Sequence, residues 1–166
     1  MITGAEPRGK GGVNRPPITI SRAGRRDFRQ IRKLADLEEE IFKCSRPGRT
    51  EELLSAISHP ETSALYTAFC GWQMCGFVLV RFSKRRSEWI VRGIGVDGGY
   101  RRKGIGTALL TEAVRFVNGE MRQRLVSYVG RKNASSLRIH EKAGFHLDRK
   151  SPLPMPELSF RMVSLP

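Results

Sequence analysis

The sequence predicts one mixed α/β (α+β) domain, and three observations point to it. The chain has 166 residues, enough to close a single core and short for two. Hydrophobic residues make up 39% and aromatics 8%, an ordinary globular composition that argues against disorder along the whole chain. Segments with apolar residues at helical spacing alternate with segments rich in Val, Ile, Phe and Tyr, and no internal repeat is visible.

The elements follow in order. Residues 1–17 carry Gly4, Gly9, Gly11, Gly12, Pro7, Pro16 and Pro17 with Arg8, Lys10 and Arg15. That composition buries too little surface to offset the entropy of ordering, so a basic flexible tail is expected before a domain at 18–166. Ile18-Thr19-Ile20 suits a strand, and Phe28, Ile31, Leu34 and Leu37–Ile41 recur at helical spacing. After the break at Ser45–Arg49, Thr50 is an N-cap candidate with Glu51 and Glu52 behind it, for a short helix through Leu53, Leu54 and Ile57 that ends at His59-Pro60.

Ser63–Cys70 and Trp72–Phe82, parted by Gly71, read as a hairpin, and Glu88–Val96 as a third strand. Gly104–Val117 returns to helix, with Ile105, Ala108, Leu109, Ala113, Phe116 and Val117 on one broad apolar face. Leu125–Val129 is a strand. Asn133 is an N-cap for a helix through His140 that stops at Gly144, and Phe145–Leu147 and Leu158–Val163 are the last strands. A strand, glycine-rich turn, helix and strand thus form one central unit.

Thirty Lys and Arg against sixteen Asp and Glu give a formal charge of +14 and a pI near 10.7. Such a charge points to an anionic partner without saying which. The longest aliphatic or aromatic run, Phe77–Val80, is far short of the roughly 20 residues that span a bilayer. The N-terminus lacks the apolar stretch of a secretory signal, so a cytoplasmic protein with no membrane partner is expected. Cys44, Cys70 and Cys75 are odd in number, with neither CxxC spacing nor a nearby His pair, so reduced thiols in core roles are expected, and no metal.

Gly93-Ile94-Gly95-Val96-Asp97-Gly98 fits the dinucleotide pattern GxGxxG only formally, because that pattern must open directly into a helix. A P-loop fails because Ile105 and Gly106 stand where Lys and Ser or Thr are required. What is left is Arg101-Arg102-Lys103-Gly104-Ile105-Gly106-Thr107, a basic glycine-rich turn between a strand and a long helix. Its unpaired amides and the positive end of the helix dipole make a cradle for pyrophosphate; a tight turn with solvated basic residues is the plainer reading of such a segment alone.

The turn is not alone. Residues Ile94–Gly106 followed by Ala108-Leu109-Leu110 resemble the acetyl-CoA-binding motif of the GCN5-related N-acetyltransferase (GNAT) superfamily, and Asn133–Phe145 is similar to its second motif, ending in Gly144-Phe145. The two stand in the family's order, and the resemblance spans roughly residues 18–166. It implies a mostly antiparallel sheet of six to seven strands flanked by about four helices, with a splayed strand pair holding acetyl-CoA as cosubstrate and no metal.

The resemblance also implies roles. The backbones of Ile94 and Val96 would pair with the pantetheine arm, and the Val96 N–H would polarise the thioester carbonyl. Amides of Arg101, Arg102, Lys103, Gly104, Ile105, Gly106 and Thr107 would hold the pyrophosphate. Asn133 would bond the pantetheine arm or serve only as a helix cap. His140 stands where many members have a Tyr that returns a proton to the departing thiolate; it is a candidate acid or a surface or packing residue. The position of the family's glutamate base is Ile90, and Glu88, two residues earlier on the same strand face, is a candidate base or a solvated carboxylate.

The expected activity is direct N-acetyl transfer to a primary amine on a small molecule, peptide or protein, and the charge at Arg22–Lys33 raises the question of an acidic acceptor. Two other classes compete: a nucleic-acid binder using Arg22, Arg25, Arg26, Arg29, Arg32, Lys33 and Lys84–Arg86, and a regulatory acyl-CoA binder. The basic residues come with no nucleic-acid motif and no interleaved aromatics. A homodimer is expected by analogy.

Overall fold

The computed structural model of the chain describes residues 16–24, 28–42, 48–149 and 159–166. The expected tail, apart from Pro16 and Pro17, lies outside the described residues, as do Arg25, Arg26, Cys44 and the segment 151–156. The elements are β1 (Ile18–Arg22), α1 (Phe28–Phe42), α2 (Arg49–Ser58), β2 (Ser63–Cys70), β3 (Gln73–Ser83), β4 (Glu88–Val96), α3 (Ile105–Val114), β5 (Leu125–Gly130), α4 (Ala134–Lys142), β6 (His146–Leu147) and β7 (Ser159–Ser164). A 3-10 turn at Gly98–Tyr100 precedes α3, and α3 runs on as a wider π-type turn through Arg115–Glu120.

The strands form one seven-stranded sheet in the order β1-β2-β3-β4-β5-β7-β6. Every pairing is antiparallel except that of β4 with β5. That exception follows from the chain path, because β4 reaches β5 through the α3 crossover instead of a hairpin. Helices cover both faces. Ile31 and Leu34 of α1 and Leu53, Ala56 and Ile57 of α2 pack on Leu65, Phe77 and Leu79. Ile105, Leu109, Leu110 and Ala113 of α3 pack on Ala64, Tyr66, Val78, Val80 and Trp89, in a core that continues to Leu125, Val129 and Phe145. Among the described residues, no helix is long and apolar enough to cross a membrane.

Three local details differ from the sequence reading. Helix α2 is capped by Gly48, not Thr50: the chain enters in a left-handed conformation (φ 76°) that glycine adopts without strain, and no side chain caps the helix. Ala108 faces solvent and Leu110 is buried in its place, while Ile105, Leu109, Ala113, Phe116 and Val117 form the apolar face as expected. Arg22, named among the basic residues that a nucleic-acid binder would use, donates from Nη2 to the Pro60 and Ser63 carbonyls at 2.8 and 3.2 Å and lies over the Phe116 ring at 4.3 Å. It ties β1 to the turn before β2.

Candidate active site

The site begins with an irregularity in β4. Leu79 pairs with Gly93 and Val80 with Val91, which leaves Arg92 as an extra residue opposite the β3 ladder. Such a bulge bends the strand and shifts its alternation by one. Trp89 and Val91 before it, and Ile94 and Val96 after it, consequently all face the α3 side and join the larger core.

Beyond the bulge β4 leaves β5. The two pair only at Trp89–Leu125 and Ile90–Val126, while β4 runs on to Val96. In an antiparallel ladder, hydrogen-bonded and non-bonded pairs alternate. The Asp97 N–H donates to the Cys75 carbonyl at 3.0 Å, so the next pair, Gly76–Val96, is a non-bonded one, and so is Val78–Ile94. The N–H and C=O groups of Ile94 and Val96 therefore turn away from β3 into the opening. The Val96 carbonyl accepts from Arg101 Nε at 3.2 Å.

The turn that follows is built to present amides. The Asp97 carboxylate accepts from the Gly99 N–H at 2.8 Å and fixes its start. Arg102 (φ 60°) and Gly104 (φ 80°) both take the left-handed conformation, and α3 starts with no side-chain cap on its first amides. Alternating conformations of this sort, with a bare helix N-terminus, form an anion-binding concavity. Lys103 Nζ donates to the Gly99 carbonyl at 2.9 Å and lies 4.7 Å from the Tyr100 ring centre, so its charge is held at the turn. Arg101, Arg102, Lys103 and Gly104 are exposed, Ile105 and Gly106 are buried, and Thr107 lies between. A Cβ on Gly106 would meet Ile139 Cδ1 at 3.1 Å, so the glycine lets α4 approach the cradle.

Asn133 caps α4, its Oδ1 accepting from the Ser136 N–H at 3.0 Å. The cap leaves the amide NH2 outside that bond, so the geometry accommodates both roles expected of the residue. Cys75 is buried, its thiol directed at the Ala68 carbonyl and its pKa pushed up to about 11, chiefly by burial. A thiol that far from ionisation is no nucleophile at neutral pH.

Two sequence expectations are corrected. Glu88 is neither solvated nor poised as a base: it is 2% exposed and ion-paired to Arg161 Nη2 at 2.6 Å and to Arg124 Nη2 at 3.5 Å. Both ion pairs fall on Oε2, so the carboxylate is held in a buried position by two guanidiniums. Of the readings open for His140, the surface one is excluded. The residue is 1% exposed, burial lowers its pKa, and it packs edge-on to Phe145. Its Nδ1 lies 2.8 Å from the Ser136 carbonyl, which can only accept; Nδ1 therefore carries the proton, and Nε2, 2.8 Å from Ser127 Oγ, accepts from that hydroxyl. Ser127 and Arg161 escape the sequence reading, where the one available signal is a polar residue inside each strand's apolar run.

Comparison with known proteins supplies the remaining findings. Residues 31–145 match the family described as Acetyltransferase (GNAT) family. The fold is similar to that of PaiA N-acetyltransferase from Thermoplasma acidophilum in complex with coenzyme A, at 18% identity and TM-score 0.70 over 90% of this chain and 99% of that one. It is similar to the ribosomal-protein-S18-alanine N-acetyltransferase from Escherichia coli, at 19% identity and TM-score 0.68 over 89% and 93%. Arabidopsis thaliana NAA60 in complex with acetyl-CoA matches at 17% identity and TM-score 0.71 over 90% and 100%. No curated protein matches by sequence.

Proposed function

The chain belongs to the acetyltransferase (GNAT) family, whose match covers residues 31–145, and from that premise we propose that it transfers an acetyl group from acetyl-CoA directly to a primary amine. The observation that carries the reading is the forked sheet: the backbone polar groups of Ile94 and Val96 turn into the opening between β4 and β5, directly before a turn whose amides suit a pyrophosphate. An extended pantetheine arm could complete the missing ladder as a strand does. The first amides of α3 and the guanidiniums of Arg101 and Arg102 would hold its phosphates.

In this reading, the neutral amine attacks the thioester carbonyl, the Val96 N–H stabilises the resulting oxyanion, and no covalent enzyme intermediate forms. Glu88 takes no part. With no buried carboxylate free to deprotonate an ammonium among the described residues, the acceptor is expected to lose its proton to water or to enter as the free amine. We extend the reading to residues 18–166 as one catalytic domain, acting on an amine of the kind that one similar structure's name includes, an alanine of a ribosomal protein.

Calorimetric titration with acetyl-CoA, followed by thiol release against spermidine, an alanine-initiated peptide and a lysine-containing peptide, tests the proposal. Binding with turnover of any of the three supports it. Lack of acetyl-CoA binding overturns it, and tight binding without turnover over a wide amine panel leaves a regulatory acyl-CoA binder as the better description.

A further inference from the structure

Resting on the acetyltransferase reading, we propose that Ser127 and His140 form a proton relay at the fork, in which Ser127 Oγ meets the sulphur of coenzyme A and His140 acts through it. Ser127 is the first β5 residue beyond Val126, the last one paired with β4. On β5 it shares a face with Leu125 and Val129, the face packed by α3 and α4. A hydroxyl here, 3% exposed among apolar neighbours, has its desolvation met by the 2.8 Å bond to His140 Nε2, and the ring is oriented in turn by the Ser136 carbonyl at 2.8 Å. Hydroxyl, imidazole and orienting acceptor in one line are the arrangement that moves protons at an acyl centre.

The groups facing His140 are Ser127 from β5, Ser136 from its own helix and Phe145 beyond the helix end, all uncharged. Its downward shift comes from burial, opposed by the Ser136 carbonyl, so the resting ring is neutral and able to take a proton.

The proton count closes. In the tetrahedral intermediate the former amine nitrogen and the sulphur share one carbon, so a single hydroxyl can reach both. The nitrogen gives its proton to Ser127 Oγ while the Ser127 hydroxyl proton passes to Nε2, forming an imidazolium. The C–S bond then breaks with its electron pair going to sulphur, Ser127 protonates the sulphur, and Nε2 returns its proton to Ser127. The products are the amide and coenzyme A thiol, with both side chains restored.

Coenzyme A alone tests the relay through the ultraviolet absorbance of its thiolate. Bound to the wild-type protein, its thiol should titrate about one pH unit lower than when bound to Ser127→Ala, because a hydrogen bond to the charged form favours that form. Ser127→Thr, which keeps the hydroxyl, should retain the low value. Calorimetry should show coenzyme A affinity within about threefold in all three proteins. Equal thiol titration in wild type and Ser127→Ala, with binding intact, overturns the relay while leaving the acetyltransferase reading standing. Equal loss in the Ala and Thr variants likewise overturns it, marking Ser127 as packing. Failure of the wild type to bind coenzyme A overturns the acetyltransferase reading itself.

Discussion

Arg161 on β7 and Glu88 on β4 meet at 2.6 Å across the intervening strand β5, with side chains only 4% and 3% exposed. Arg161 also pairs through Nη1 with Asp148, and Glu88 with Arg124. The cluster ties Glu88, beside the two pairs that join β4 to β5, to Arg161, whose register partner Tyr128 lies beyond that pairing. Pairing beside Glu88 and opening at the fork are complementary: two strands can part at Ile94–Val96 because they are pinned near Glu88.

Glu88 should therefore register in stability and not in chemistry. Glu88→Ala removes one partner of a buried pair, an operation that costs about 3–5 kcal/mol. Urea denaturation should show that loss. The folded fraction of the variant should bind acetyl-CoA as the wild type does, and a Glu88→Gln protein of near-normal stability that binds acetyl-CoA but has lost turnover would restore Glu88 as a base.

Gly95 tests the coupling between α1 and the fork. A Cβ there would lie 2.8 Å from Phe77 Cε1 on β3 and 2.9 Å from Ile41 Cδ1 on α1, so these side chains must give way. Overpacking of this kind costs about 1–3 kcal/mol. Because Gly95 lies between Ile94 and Val96, Gly95→Ala should weaken acetyl-CoA binding several-fold as well as lowering the denaturation midpoint. Gly98→Ala, whose Cβ would meet nothing within 4 Å, serves as the control and should change neither.

How far the sequence reaches follows from the range of each interaction. Strand and helix limits are legible because apolar spacing is local, and the glycine-rich turn because Gly104 is required by the turn's own left-handed backbone, whereas Gly106 answers to Ile139 on α4. Gly48 escapes because a cap is looked for among side chains, whereas the backbone conformation alone starts α2. The state of Glu88 is not legible, since Arg161 lies 73 positions away in sequence and comes near only when β7 joins the sheet. Ser127 and His140 are separated by 13 positions and meet because α4 packs back on β5. The Arg92 bulge is equally hidden. Without it, strict alternation would place Ile94 and Val96 on the wrong face.

His140 predicts a pH dependence of folding whose sign is fixed by its neutral native state. Burial depresses the folded pKa below the ordinary value of 6.5, so the unfolded chain binds the proton more readily. The contribution is complete above about pH 6.5 and is lost as pH falls below it towards the folded pKa. The unfolding free energy should therefore fall further between pH 7.5 and 5.5 for the wild type than for His140→Gln, in which position 140 no longer titrates. An equal fall in both proteins would mean that the ring titrates alike in the folded and unfolded chain, and a smaller fall in the wild type would mean that the ring holds its proton in the fold.

Gly104 separates the conformation of the cradle from its charge. The residue sits at φ 80°, and a Cβ added there would meet nothing within 4 Å, so a side chain has room but must adopt a left-handed backbone. That strain costs about 1–2 kcal/mol and acts on folding. Gly104→Ala should accordingly lower stability by that amount and leave acetyl-CoA affinity within a few-fold. Gly104→Asp carries no more strain than Ala, since Asp tolerates the left-handed region, and adds a carboxylate at the amides offered to the pyrophosphate, where like charge and competition for the same N–H donors oppose binding. Its affinity should fall at least tenfold below that of the Ala variant, a difference of about 1.4 kcal/mol or more. Calorimetry on the two variants side by side decides the matter: equal affinities would place the phosphates elsewhere, because the Asp variant is no more strained than the Ala variant and differs from it by its charge.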